Sequence, residues 1–187
     1  LHDNVGQLLT TTKLYLEMLK HKLDDPLELI DRGTRHINMV IHTIRNLSHS
    51  LVPSSINDLG LVASVNDLIE NIQALESIDI DYAAGPELEG KIEESLKLTL
   101  YRIIQEQLNN IVRHADATRV TIELFEEDNF IKLIISDNGK GFDVETVKKG
   151  LGLKNIASRA ELQNGSVDII TNPDKGCKII IQIPIIF

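Results

Sequence analysis

The sequence FIKLIISDNGKGF, residues 130–142, joins an apolar strand to a polar turn that contains two glycines. Gly139 and Gly141 permit positive φ angles and a close approach of the backbone to a ligand. Asp137, at the end of the strand, can accept a hydrogen bond from the exocyclic amine of a purine. The same letters are also ordinary turn signals, so this segment alone predicts either a plain turn or one wall of a nucleotide site.

A second pair of glycines, Gly150 and Gly152, follows in the segment GLGL and opens a helical pattern. The amides at a helix N-terminus are open donors, and the helix dipole favours anions there. This pair therefore favours a phosphate-binding site, although a glycine pair by itself is a weak signal.

The segment EQLNN, residues 106–110, carries polar side chains on a helix that precedes both glycine pairs. Glu106 and Asn110 stand at positions i and i+4 and so lie on the same side of the helix. Mg²⁺ prefers oxygen ligands and also binds substrate phosphates. Asn110 suits one ligand position, and Glu106 could orient or deprotonate an attacking group. The alternative is the solvated face of an amphipathic helix.

The surrounding pattern alternates between helix and strand and predicts an α+β sandwich, a mostly antiparallel sheet with helices on one face. A segment of loop composition at 54–61 marks its start. The predicted helices are 61–75, 91–113 and 153–163, the loop is 85–90, and the strands are 78–83, 118–127, 130–137, 166–172 and 177–185.

The first 52 residues predict a helical hairpin. Apolar residues from Val5 to Leu23 repeat with a period of 3.5, Asp24-Asp25-Pro26 divides the helices, and Pro53 ends the second one. One hairpin buries little of such stripes, whereas two hairpins in a four-helix bundle bury both. We therefore expect a homodimer and domains at 1–54 and 55–187; the alternative is that the hairpin packs on its own chain.

Charge and composition exclude several classes of protein. The first 55 residues carry equal numbers of basic and acidic side chains, so the whole net charge of −9 lies in the rest. An acidic body argues against nucleic-acid binding, which is driven mainly by Lys and Arg. A single cysteine, Cys177, excludes a disulfide framework within the chain. The chain opens without methionine inside a helical pattern, so we expect it to be part of a longer protein.

Taken together, QEQLNNIVRHADA (105–117), DNGKGF (137–142) and GLGLKNIASRAELQNGSVDI (150–169) resemble the ATP-binding domain of sensor histidine kinases. That domain has the Bergerat-type fold. The opening LHDNVGQLL (1–9) is similar to the phosphoacceptor helix of the subfamily with an H-D/E-x-x-G-Q motif, which includes nitrate-sensing and membrane-fluidity-sensing kinases. The resemblance covers essentially the whole chain.

In the phosphoacceptor helix, the resemblance implies a role for three residues. His2 matches the phosphorylated histidine, and Asp3 matches the neighbouring acid that takes or orients its proton. Gln7 matches a glutamine associated with dephosphorylation of the partner. Chemistry supports this independently, since a neutral imidazole with one free nitrogen is a nucleophile that an adjacent carboxylate can orient.

In the ATP-binding domain, the resemblance assigns residues to acid, metal, adenine and phosphate positions. Glu106 matches the acid, and Asn110 matches the Mg²⁺ ligand. Asp137 matches the carboxylate that reads adenine. The remaining matches are the basic and aromatic positions at Arg113 and His114, the adenine-side glycines Gly139 and Gly141, and the phosphate-side glycines Gly150 and Gly152.

The resemblance implies a kinase that uses ATP and Mg²⁺ to phosphorylate His2 within a homodimer. The phosphoryl group then passes to an aspartate on the receiver domain of a response regulator, and Gln7 supports the reverse phosphatase activity. We expect a cytoplasmic domain whose parent protein is anchored in the bacterial cytoplasmic membrane through its missing N-terminal part.

Two alternatives stay open. One is an ATPase or serine-directed kinase of the same fold, which would leave His2, Asp3 and Gln7 unexplained. The other is a pseudokinase scaffold, because Cys177 stands where the family usually has threonine and the basic helical stretch before the phosphorylated histidine is absent. A thiol is a poorer hydrogen-bonding group than a hydroxyl.

Overall fold

A computed structural model describes residues 59–143 and 151–185, together with the single positions 33, 34, 37 and 56. The chain divides into two compact units, Leu1–Pro53 and Ser54–Phe187. In the first unit Gly33, Thr34 and Ile37 are helical, and Ile37 is 40% exposed. The rest of the predicted hairpin and its dimeric bundle lie outside the described residues.

Besides the single helical positions Ile56 and Leu59, the described part of the second unit contains three α-helices, one short 3-10 helix and five strands. In chain order they are α1 (Leu61–Gln73), β1 (Asp79–Ala84), the 3-10 helix (Pro86–Gly90), α2 (Glu94–His114), β2 (Arg119–Glu127), β3 (Phe130–Asp137), α3 (Leu151–Glu161), β4 (Ser166–Thr171) and β5 (Cys177–Pro184). Among the residues described, no helix combines the length and apolarity needed to cross a bilayer.

The five strands form one sheet in the order β1-β2-β3-β5-β4. β1 pairs with β2 in parallel, and the other three pairings are antiparallel. β3 and β5 are neighbours in this sheet, and the register of their pairing places Asp137 directly opposite Cys177. The α+β sandwich with a mostly antiparallel sheet is therefore confirmed.

Alternation along the central strands sends one set of apolar side chains into the core. Buried residues at every second position face inward from β2, β3 and β5, and the apolar side of α2 joins them in the same core. The core members from these elements are Val120, Ile122, Leu124, Ile131, Leu133, Ile135, Cys177, Ile179, Ile181, Ile183, Leu96, Leu100, Tyr101, Ile103, Ile104, Leu108 and Ile111. Packing of α2 on the sheet fixes the direction of its polar face, which carries the candidate site residues.

The structure corrects three local predictions. Within the predicted loop at 54–61, Ile56 and Leu59 are helical, because Ile56 is 2% exposed and joins the core. Residues 86–90 form a 3-10 helix rather than a loop, since a proline near its start has the φ angle that a helical turn needs. Gly152 lies inside the first turn of α3 and not before the helix.

A glutamate from the 3-10 helix caps the N-terminus of α1. Gly60 precedes that helix with φ +85° and provides no side-chain cap. Instead, the two carboxylate oxygens of Glu89 accept hydrogen bonds from the amides of Leu61 (2.9 Å) and Val62 (3.2 Å). Nζ of Lys97, a residue that is 8% exposed, lies 3.2 Å from Oε1 of Glu89. This cap ties the start of α1 to the 3-10 helix and to α2.

The environment of Glu89 changes its pKa. Burial alone would raise the pKa, but the two helix amides and the Lys97 ammonium hold it below its ordinary value. A carboxyl group with a lowered pKa stabilises the fold above its ordinary pKa. That contribution is lost as the pH falls through the lowered value.

We predict that Glu89→Gln lowers the free energy of unfolding at pH 7 by about 1 kcal/mol, the usual value of a helix cap. The difference from wild type should shrink as the pH falls through the lowered pKa of Glu89, because protonation removes the carboxylate charge in the wild type. Urea unfolding at pH 7 and at a series of lower pH values measures both effects. Glu123→Gln, at an exposed position of β2, is the control and should change little; an equal loss in the two variants would contradict the capping role.

Candidate functional site

A cavity of about 610 Å³ lies beside the C-terminal half of α2, the end of β3 and the start of α3. Its volume is in the range of small-molecule and cofactor sites. The lining residues are Glu106, Gln107, Asn110, Ile111, Arg113, His114, Ala115, Asp137, Lys140, Gly141, Phe142, Gly152, Leu153 and Cys177. Polar groups of both charges therefore converge on a partly apolar space.

One wall of the cavity is formed by Asp137 and Cys177. Oδ1 of Asp137 accepts a hydrogen bond of 2.9 Å from the amide of Gly139, and the Cys177 amide also donates to this carboxylate. Burial raises the pKa of Asp137 above its ordinary value, and the two amides oppose the shift. Burial and the charge of Asp137 raise the pKa of Cys177 to about 12, so this residue is a thiol at neutral pH.

The turn after β3 is held by backbone contacts on two sides. The amide of Lys140 donates a hydrogen bond of 2.8 Å to the carbonyl of Ala115, at the end of α2. Any Cβ at position 139 would collide with that same carbonyl, and at Gly141, where φ is +56°, it would collide with the carbonyl of Asn172. Glycine is required at both positions because the neighbouring backbone leaves no room for a side chain.

The side chain of Asn138 links the end of β3 to the start of β2. Its Oδ1 accepts hydrogen bonds from the amides of Thr118 (3.0 Å) and Arg119 (2.9 Å). Its Nδ2 donates to Oγ1 of Thr118 at 2.9 Å. Because β2 follows directly from α2, these bonds keep Asp137 in a fixed position relative to the polar residues at the end of that helix.

The opposite side of the cavity brings α2 against the first turn of α3. A Cβ built on Gly152 would lie 2.7 Å from Oδ1 of Asn110 and 2.9 Å from Oε1 of Glu106. Nδ2 of Asn110 donates a long hydrogen bond of 3.5 Å to Oε1 of Gln107, so Oδ1 is the amide atom suited to a cation. An amide oxygen and a carboxylate oxygen beside each other fit a hard divalent cation.

Basic side chains occupy the end of α2 at the cavity. Arg113 and His114 both lie in its last turn, where positive charge is favoured by the helix dipole. The N-terminal turn of α3 also reaches the cavity at Gly152 and Leu153, and the dipole there favours negative charge. This side of the cavity is therefore suited to an anionic group held together with a cation.

Residues 96–186 match the family described as "Histidine kinase-, DNA gyrase B-, and HSP90-like ATPase". Over 99% of its length, the chain is 31% identical to sensor protein VraS of Staphylococcus aureus and 33% identical to oxygen sensor histidine kinase NreB of Staphylococcus carnosus. The chain contains a sensor histidine kinase catalytic region. It spans about half the length of these relatives, 53% of VraS and 54% of NreB.

Solved structures of histidine kinases share the fold. Acinetobacter baumannii histidine kinase AdeS aligns with a TM-score of 0.57 at 13% identity, covering 97% of each chain. The histidine kinase domain of the Erythrobacter litoralis EL346 blue-light activated kinase aligns with a TM-score of 0.57 at 15% identity, covering 94% of this chain and 96% of that one. These likenesses support the Bergerat-type sandwich for the sensor histidine kinase region.

The structure brings most of the predicted nucleotide residues into one cavity. Those that line it are Glu106, Asn110, Arg113, His114, Asp137, Gly141 and Gly152. Gly139 is not among the lining residues and instead packs against Ala115. Gly150 lies outside the described residues, as do His2, Asp3 and Gln7. The roles of all these residues stay predictions.

Several lining residues were missed by the sequence analysis. They are Gln107, Ile111, Ala115, Lys140, Phe142 and Leu153. Helical spacing offered a signal for two of them, because Gln107 stands three positions before Asn110 and Ile111 stands three positions before His114, each on the same side of α2 as a predicted residue. Phe142 and Leu153 each adjoin a glycine of the two predicted segments, so an apolar residue next to such a glycine is the signal that could have found them.

We predict that Gly152→Ala weakens Mg-ADP binding at least about tenfold without destabilising the domain. The added Cβ displaces the ends of the Asn110 and Glu106 side chains, which are flexible and can move. Alanine is also a better helix former than glycine by about 0.8–1.0 kcal/mol, so the free energy of unfolding should not fall.

Calorimetric titration gives the affinity, and urea unfolding gives the stability. Gly90→Ala is the control because no atom lies within 4 Å of a Cβ at that position. Unchanged ADP affinity in Gly152→Ala would contradict the prediction that Asn110 and Glu106 contribute to Mg-ADP binding.

Proposed function

We propose that this chain acts as an ATP-dependent protein histidine kinase that phosphorylates His2 and then transfers the phosphoryl group to an aspartate of a response regulator. The observation that carries the proposal is one cavity with the half-buried Asp137 carboxylate on one wall and Asn110, Glu106 and basic side chains on another. The names of VraS and NreB, a sensor protein and an oxygen sensor histidine kinase, point to the same activity.

The two sides of the cavity suit the two ends of ATP. Asp137 accepts hydrogen bonds and can receive the exocyclic amine of adenine. Arg113 and His114, with the first turn of α3, form an electropositive side for the phosphates. The volume of about 610 Å³ accommodates a ligand of this size.

Mg²⁺ fits the oxygen pair formed by Asn110 and Glu106. We propose Asn110 Oδ1 as its protein ligand, because the Nδ2 of the same amide already points to Gln107. When bound, the ion would neutralise phosphate charge, which is the main requirement of phosphoryl transfer. Glu106 would then orient the reacting groups or accept a proton.

The acceptor in the proposal is a nitrogen of neutral His2, which forms a bond to the γ-phosphorus while the bond to ADP breaks. Asp3 orients the imidazole and accepts its proton. The phosphoryl group next moves from His2 to a carboxylate of the receiver domain, and Gln7 supports hydrolysis of that acyl phosphate. The ATP-binding unit contributes position and charge rather than a covalent step.

A homodimer fits the apolar stripes of residues 1–52. Ile37, an apolar residue of the second predicted helix between Pro26 and Pro53, is 40% exposed within a single chain, as expected for a face that a second hairpin covers. We further propose that the parent protein holds this region in the bacterial cytoplasm through a membrane anchor N-terminal to it.

We predict that His2→Gln abolishes acid-labile labelling by γ-labelled ATP while ADP affinity stays within about twofold of wild type. Phosphohistidine is acid-labile, whereas phosphoserine is stable to acid. Incorporation measured before and after acid treatment distinguishes them. His21→Gln, which removes a histidine outside every motif, should label normally.

Acid-labile label in His2→Gln would contradict the choice of acceptor. Acid-stable label in wild type would favour a serine-directed kinase, and nucleotide binding without label would favour a scaffold. The labelling experiment therefore distinguishes a histidine kinase, a serine-directed kinase and a nucleotide-binding scaffold.

A further inference from the structure

We propose that Thr171 is a positioning residue that holds one wall of the nucleotide cavity in its binding geometry. The inference rests on the proposed function, since it concerns how that site binds ADP and ATP. Thr171 ends β4, pairs in register with Cys177 on β5, and is not among the residues that line the cavity. Its effect would therefore pass through its neighbours.

The Thr171 hydroxyl joins the turn after β3 to the turn between β4 and β5. Oγ1 accepts a hydrogen bond of 3.1 Å from the amide of Phe142, the last residue of the turn after β3 (residues 137–142, here the glycine turn). It donates a hydrogen bond of 2.8 Å to the carbonyl of Gly176, in the β4–β5 turn. The hydroxyl also lies within hydrogen-bonding reach of the Cys177 thiol. A hydroxyl has one donor and two acceptor sites, and this arrangement can use all of them.

The segments that Thr171 joins carry cavity residues. Gly141 and Phe142 line the cavity from the glycine turn, and Cys177 lines it from β5. The amide of Asp174 also donates a hydrogen bond of 2.6 Å to the carbonyl of Lys140, so the glycine turn and the β4–β5 turn are in direct contact. Thr171, at the end of β4, adds side-chain hydrogen bonds to both turns and so stabilises this contact.

Removing the hydroxyl would leave two backbone groups without their partner. The Phe142 amide and the Gly176 carbonyl are part-buried with Thr171, and unpaired buried polar groups are unfavourable. The glycine turn would then relax away from β5. Because Asp137 begins that turn and Gly141 and Phe142 end it, the relaxation would open the cavity at its adenine wall.

Two substitutions separate the hydroxyl from the rest of the side chain. Thr171→Val keeps the shape and removes the hydroxyl, whereas Thr171→Ser keeps the hydroxyl and removes the methyl group. A purely structural role of Thr171 would lower the stability of the fold without changing the ADP affinity of the folded protein. A positioning role predicts that the ADP affinity is kept in Thr171→Ser, which has the hydroxyl, and falls in Thr171→Val, which lacks it.

The test is calorimetric titration of the full chain with Mg-ADP, at a temperature where urea and thermal unfolding show each variant folded. We expect Thr171→Val to raise Kd about tenfold, the equivalent of one hydrogen bond, and Thr171→Ser to stay within about twofold. Thr121→Val, on β2 and outside the cavity lining, is the matched control and should bind like wild type.

Hydrogen exchange of the Phe142 amide gives a second readout that does not depend on nucleotide. The amide should exchange slowly in wild type and in Thr171→Ser, and faster in Thr171→Val. Fast exchange in wild type would contradict the inference even if Thr171→Val failed to fold.

Equal ADP affinity in wild type and Thr171→Val, or equal weakening in the Ser and Val variants, would overturn the role of the hydroxyl and leave the proposed function intact. Absence of ADP binding by wild type would contradict the proposed function and the inference together. The two failures are therefore distinguishable.

Discussion

The site depends on the close approach of three backbone segments around the end of β3. Side chains are excluded at Gly139 by the carbonyl of Ala115 and at Gly176 by the carbonyl of Asp137. These approaches place the end of α2, the turn after β3 and the start of β5 against one another. Asp137 lies at their junction with its carboxylate fixed by two amides, so its direction is set before any ligand binds. A preorganised acceptor of this kind loses little freedom on binding.

The same junction explains how a sheet and a helix provide different halves of one site. β3 and β5 supply the half-buried Asp137 and the buried Cys177, while α2 supplies Glu106, Asn110 and the basic last turn. Asn138 and the Lys140 amide connect the two halves through the α2–β2 segment. The Asp137 wall of the cavity is therefore held by hydrogen bonds to the backbone, and the opposite wall is completed by the first turn of α3.

Features that depend on residues a few positions apart could be predicted from the sequence. The alternation in β2, β3 and β5 predicted the core strands, and the i, i+4 spacing of Glu106 and Asn110 predicted a shared face that the cavity confirms. Contacts between distant positions left no such pattern. Glu89 caps a helix 28 residues before it, and Thr171 binds an amide 29 residues before it. In the sequence, Glu89 and Thr171 cannot be distinguished from ordinary surface residues, because their hydrogen-bond partners are distant along the chain. The segment with His2, Asp3 and Gln7 was recognised through its motif, and its roles stay predictions.

If Asp137 binds the exocyclic amine of adenine, as we propose, the cavity must distinguish adenine from guanine. Calorimetric titration of the full chain with Mg-ADP and Mg-GDP, repeated with Asp137→Asn, measures this discrimination. Guanine presents a carbonyl where adenine presents an amine, and a carboxylate cannot donate to that carbonyl. We expect one ADP per chain, markedly weaker GDP binding, and loss of ADP binding in Asp137→Asn. Equal affinity for the two nucleotides, or ADP binding that survives in Asp137→Asn, would contradict it.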